Sequence, residues 1–106
     1  MRILFDQGTL APLRHELTGH QVTTTYEMGW DTLSNGDLLR QAESQFELLI
    51  TTDQSLCYQQ DLTGRRLAIL VLPTTSWPRI RQRANEVATA IGTIQPGELR
   101  DVRFFD

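Results

Sequence analysis

The chain has 106 residues with 13 acidic side chains against 10 cationic ones, a net charge of −3, and every one of the ten cations is arginine. That length supports one hydrophobic core and hence a single domain over 1–106, while 40% hydrophobic and 22% charged residues exclude disordered, collagen-like and coiled-coil classes. The negative balance excludes duplex nucleic-acid binding by overall charge, so any nucleic-acid contact is local, and the absence of lysine removes Schiff-base and lysine-general-base chemistry.

Cys57 is the single cysteine, so no internal disulfide forms and no zinc-ligand spacing exists around it. It reads as an inert apolar filler in a reducing, cytoplasmic setting. The apolar start Ile3-Leu4-Phe5 ends at Asp6, far short of a signal peptide, and the longest apolar run, Leu67 to Leu72, is far short of the roughly 20 residues of a membrane span. No membrane partner is expected.

In chain order, Arg2 to Phe5 predicts a buried strand ending at a turn through Asp6, Gln7 and Gly8. Leu10, Leu13, Arg14 and Leu17 then predict a helix stopped at Gly19. The Val- and Thr-rich stretch from Gln21 to Tyr26 predicts a second strand. Ser34 stands three residues before Asp37, a capping-box spacing that opens an amphipathic helix from about Asn35 to Gln45 on Leu38, Leu39 and Ala42. Glu47 to Thr52 predicts the third strand, Leu56 to Gln60 a short helix, and Leu67 to Leu72 a well-covered fourth strand stopped by Pro73. A last helix is expected from Trp77 and Pro78 through Ile80, Ala84, Val87, Ala88 and Ile91 to a stop at Gly92, followed by a short edge strand around Leu99 to Phe105. The alternation of strands and helices defines an α/β fold, a mostly parallel sheet of four or five strands with helices on both faces.

In such a sheet, sites form at the carboxyl ends of the strands where the strand order reverses. Asp6 closes the first strand and Asp53 the third; with the order 2-1-3-4 both project into one crevice, and Asp37 begins the helix on the same rim. Clustered carboxylates repel unless a cation shares them, and an oxygen-only set favours Mg²⁺ or Mn²⁺ and phosphodiester chemistry. Each residue also has a plain structural reading: Asp37 at the third position of its helix is favourable without a metal, and Asp6 or Asp53 can cap the helix that follows it.

Met1-Arg2-Ile3-Leu4-Phe5-Asp6-Gln7-Gly8-Thr9, Asn35-Gly36-Asp37-Leu38-Leu39, Thr51 through Leu62 and Ala68-Ile69-Leu70-Val71-Leu72 together resemble a family of PIN-like domains. These are short bacterial proteins often assigned as toxins of toxin–antitoxin pairs. The resemblance covers nearly the whole chain up to the last helix and is most specific over Asp53 to Leu62. It implies a PIN-like three-layer α/β/α fold that holds Mg²⁺ or Mn²⁺ on acidic residues and cuts single-stranded RNA. Asp6 and Asp53 match the family's strand-end aspartates, and Asp37 or the nearby Asn35 takes the place of the helix-borne acid. Gln7 and Ser55 stand where many relatives carry further acids, and with Asn35 they form the polar surround of the site. Arg79 and Arg83, four apart on the last helix, are the expected RNA contacts, with Trp30, Tyr58 or Trp77 to stack on bases; as a plain reading they are that helix's solvated face and its packing residues. An antitoxin protein and a second copy of the chain, as a homodimer, complete the expected partners. Three functions stay open at this point: a metal-dependent ribonuclease, a PIN-like binding or regulatory module without nuclease activity, and a receiver-type phosphate-binding domain, which the absence of lysine disfavours.

Overall fold

The computed structural model describes residues 1–6, 11–54 and 64–104. Five strands, β1 (Arg2–Phe5), β2 (Gln21–Thr24), β3 (Leu48–Thr51), β4 (Ala68–Val71) and β5 (Leu99–Asp101), form one sheet in the order β2-β1-β3-β4-β5, and every pairing is parallel. The fold class expected from the alternation is the one observed, and β1 and β3 are neighbours as required for a shared crevice.

Strand alternation sorts the apolar residues into two layers, because successive side chains leave opposite faces. Ile3, Phe5, Leu48, Ile50, Ala68, Leu70 and Leu72 pack on one face with Leu13, Leu17, Ile80, Val87 and Ile91. Leu4, Leu49, Leu67, Ile69 and Val71 pack on the other with Leu38, Leu39 and Ala42. The central strands are apolar on both faces, which is what a parallel sheet covered on both sides requires. Each such fully buried aliphatic side chain contributes roughly 1.5–3 kcal/mol to the packed state.

Several elements differ from the sequence expectation for identifiable reasons. The first helix is a 3₁₀ helix over Ala11–Glu16, and the chain turns at Gly19, which has φ +89°, beyond the end of the helix. The second strand stops at Thr24 because Thr24 caps a one-turn helix, α1 (Thr25–Met28). Thr24 Oγ1 accepts the Glu27 N–H at 3.1 Å and Glu27 Oε1 accepts the Thr24 N–H at 2.9 Å. The Thr24-Thr25-Tyr26-Glu27 capping box thus outweighs the β-branched run. Helix α2 runs Asn35–Gln45 as expected, with Ser34 Oγ accepting the Asp37 N–H at 3.3 Å. Asp37 does not close a reciprocal box; its carboxylate accepts a hydrogen bond from Arg40 at 2.6 Å.

The last helical stretch is divided into α3 (Trp77–Gln82) and α4 (Ala84–Thr93). Arg83 interrupts it with φ −117° and ψ 21°, outside the helical range. Gly92 lies inside α4, with open space where a Cβ would sit, and the helix ends one residue later. β5 is the expected edge strand, shorter than foreseen. Leu10, the Leu56 to Gln60 helix, Cys57, Tyr58 and Phe105 lie outside the described residues. No described helix is long and apolar enough to cross a membrane.

Candidate active-site cleft at the carboxyl ends of β1 and β3

The register pairs Phe5 with Ile50, so the residues that follow, Asp6 and Thr51, stand side by side where the two strands end. The Asp6 N–H continues the ladder by donating to Ile50 O at 2.9 Å. Phe5 and Ile50 face one layer, so alternation turns Asp6 and Thr51 toward the other, the α2 face of Leu4 and Leu49. In the strand order, the partner that follows β1 in the chain, β2, lies on one flank of the β1–β3 pair and the one that follows β3, β4, lies on the other, the switch point at which a crevice forms between strand ends.

That crevice is a cleft of about 190 Å³ lined by Asp6, Thr25, Trp30, Asp31, Leu33, Asn35, Leu38 and Asp53. Its outer wall is the loop between α1 and α2. Gly29 ends α1 in the left-handed region at φ +74°, and the Trp30 N–H donates to Thr25 O at 2.8 Å, folding the loop back over the strand ends. Trp30 is seated edge-on against Phe46, with ring centroids 6.1 Å apart and an interplanar angle of 83°. Asn35, the first residue of α2, reaches across and donates from Nδ2 to Asp53 Oδ2 at 3.3 Å.

Beneath the rim, Thr51 is fully buried and joins the two aspartates. Its Oγ1 accepts the Asp53 N–H at 3.0 Å and donates to Asp6 Oδ2 at 2.8 Å. A hydroxyl at this position meets the requirement that buried polar groups find partners, and it couples the segment after β3 to the end of β1.

Of the residues singled out by sequence, Asp6, Asp53 and Asn35 come together. Asp37 does not line this cleft: it is exposed and its carboxylate is paired with Arg40. The place at the start of α2 that reaches the strand-end aspartate belongs to Asn35, the alternative to Asp37. Arg79 and Arg83 sit on the opposite layer, beside Ile80; Arg79 is exposed and Arg83 makes a 3.3 Å contact with Glu86. Gln7 and Ser55 lie outside the described residues.

Asp31 and Thr51 were not foreseen. Asp31 belongs to a loop without periodicity, and only the fold of that loop brings it to the cleft. Thr51 had a readable signal, a threonine one strand period before Asp53 and therefore on the same face.

The donors around the cleft are all oxygens or amides, the hard ligand class of Mg²⁺ and Mn²⁺, and Mg²⁺ is commonly held by one or two carboxylates while keeping several waters. Two strand-end carboxylates on one cleft therefore fit a hydrated dication. Among the described residues no group of three or more His, Cys, Asp or Glu side chains is placed to hold a metal ion. The class defined to this point is a doubly wound α/β domain with an acidic cleft at its topological switch point. No family model, no curated protein and no solved structure matches the chain.

Proposed function

We propose that this chain is a PIN-like endoribonuclease dependent on Mg²⁺ or Mn²⁺, acting on single-stranded RNA in the cytoplasm as the toxin of a toxin–antitoxin pair. The observation that carries the reading is the convergence of Asp6 and Asp53 on one cleft at the switch point, tied together through Thr51. Asp6 and Asp53 are the residues that hold the cation, with Asp31 and Asn35 on the rim within the same cleft. A dication bound there supplies an activated water and neutralises charge at a scissile phosphate.

The chain's own residues supply the rest. Trp30 presents a half-buried ring at the cleft wall, suited to stacking on an unpaired base. Arg79 and Arg83, with Arg81 between them, are the arginines that give α3 and its end a basic surface for phosphates, Arg79 and Arg81 being exposed. Asp37, paired with Arg40, contributes charge near the start of α2 and not a ligand.

A second reading, a PIN-like binding or regulatory module without cleavage activity, is favoured by one observation. The α2 group that reaches Asp53 is the amide of Asn35 and not a carboxylate. The two readings separate in one assay: purified chain is incubated with a mixed pool of labelled single-stranded RNAs at millimolar Mn²⁺, with and without EDTA. Cleavage that EDTA stops and that Asp6→Asn abolishes supports the nuclease; RNA retained but uncut by a folded chain supports the module.

A further inference from the structure

We infer that Thr51 is the positioning residue of this cleft: its hydroxyl fixes the orientation in which Asp6 presents its carboxylate beside Asp53. The bonding capacity of a hydroxyl makes the arrangement directional. Thr51 Oγ1 has one proton to give, and because the Asp53 N–H occupies its acceptor side at 3.0 Å, that proton goes to Asp6 Oδ2 at 2.8 Å. The relay runs from backbone amide to hydroxyl to carboxylate, and such a chain polarises each bond in turn where water is excluded. Thr51 has no exposed surface, so no solvent molecule substitutes for either partner without repacking.

The residue type also matters. β-Branching restricts the first side-chain torsion, so a threonine at a strand end holds its oxygen in one direction more firmly than a serine does. Thr51 thereby bonds to both aspartate segments, while Asn35 donates to Asp53 Oδ2 from the start of α2. Orienting partners of this kind typically alter metal affinity 10–100-fold when removed. The effect on a cation rests on the nuclease reading above; the effect on Asp6 does not.

The experiment therefore has two readouts. Thr51→Val keeps the shape and removes the hydroxyl; Thr51→Ser keeps the hydroxyl. Without metal, the carboxyl ¹³C resonance of Asp6 is expected to shift in T51V and to return toward the wild-type position in T51S. An Asp6 resonance unchanged by T51V overturns the inference. With Mn²⁺ followed by electron paramagnetic resonance, T51V is expected to bind at least roughly tenfold more weakly and T51S within a few fold of wild type.

Mn²⁺ binding equal in T51V and wild type also overturns the positioning role, while leaving the nuclease reading in place. Wild-type chain that binds no Mn²⁺ sinks the nuclease reading, and the Asp6 resonance then decides the inference alone. Should T51V fail to fold, the wild-type chain still answers: a slowly exchanging Thr51 hydroxyl proton coupled to the Asp6 carboxyl carbon supports the bond, and a freely exchanging one overturns it.

Discussion

The two ends of the sheet carry clefts of opposite character. At the amino ends, a cavity of about 310 Å³ is lined by Met1, Arg2, Glu43, Phe46, Glu47, Arg66, Ala68, Ile94, Gln95 and Pro96. It is larger than the cleft of about 190 Å³ at the carboxyl ends. Its acids, however, are used in holding the fold: Glu43 accepts the Arg66 N–H at 2.9 Å and pairs with Arg65 at 3.1 Å, and Glu47 accepts the Arg2 N–H at 3.0 Å. At the carboxyl ends the aspartates are joined through a hydroxyl and an amide, groups that orient a carboxylate without cancelling its charge. The proposed site is therefore the smaller of these two cavities, and what sets it apart is the hydroxyl and amide that meet its aspartates.

The largest effect that tests this contrast is on activity. On the proposed nuclease reading, Asp53→Asn is expected to lower Mn²⁺-dependent RNA cleavage by at least roughly a hundredfold, since losing a proposed ligand exceeds the loss of a group that only orients one. Glu43→Gln at the other end should leave the cleavage rate within about twofold, because its effect falls on folding. Single-turnover cleavage of one labelled RNA measures both; equal losses would erase the distinction between the two ends.

Next in size is a backbone effect confined to the amino end. Gly97 has φ +76°, and a Cβ there would lie 2.6 Å from Arg65 O, while its N–H donates to Arg66 O at 2.8 Å. Gly97→Ala is expected to destabilise the fold by about 1–3 kcal/mol in urea unfolding, without altering Mn²⁺ affinity of the folded chain. By contrast, Gly92 is helical with open space around it, so Gly92→Ala should stabilise by about 0.5–1 kcal/mol. A destabilising G92A would show that α4 needs its glycine for packing.

The smallest effect is in pH dependence. Hydrogen bonds from Arg14 and then from the Thr24 backbone hold Glu27 below its ordinary value of 4.5, and those from the Gln95 backbone and Arg100 do the same for Glu98. A carboxylate depressed in the folded state releases its proton more readily there than in the unfolded chain. Its stabilisation is therefore full above about 4.5 and lost as pH falls through the lower folded value. Urea midpoints of Glu27→Gln and wild type should thus differ at pH 7 and converge as the pH is taken well below 4.5; a gap that persists in acid would assign the effect to packing instead.

How far the sequence alone specifies these features follows from the range of the forces involved. Helix α2 and the central strands follow from local pattern, because Ser34 caps and Leu38, Leu39 and Ala42 face one way, and because Leu48 to Ile50 and Ala68 to Leu70 are apolar on both faces. The capping box at Thr24 and Glu27 was equally local, and β-branched enrichment masked it. The break at Arg83 has no comparable signal, since Ile80, Ala84 and Val87 keep a helical spacing across it.

The site divides along the same line. By itself the sequence determined the alternating α/β class, a chain whose cations are all arginine, and aspartates at two strand ends, because hydrophobic period and turn residues act over a few positions. Only the tertiary structure decided that β1 and β3 are neighbours, that Thr51 joins Asp6 to Asp53, that Asn35 and Asp31 line the cleft, and that Asp37 turns away to Arg40. The reason is physical: which side chains meet depends on strand register and on the direction each Cβ leaves the backbone, and both are set by residues distant in the chain.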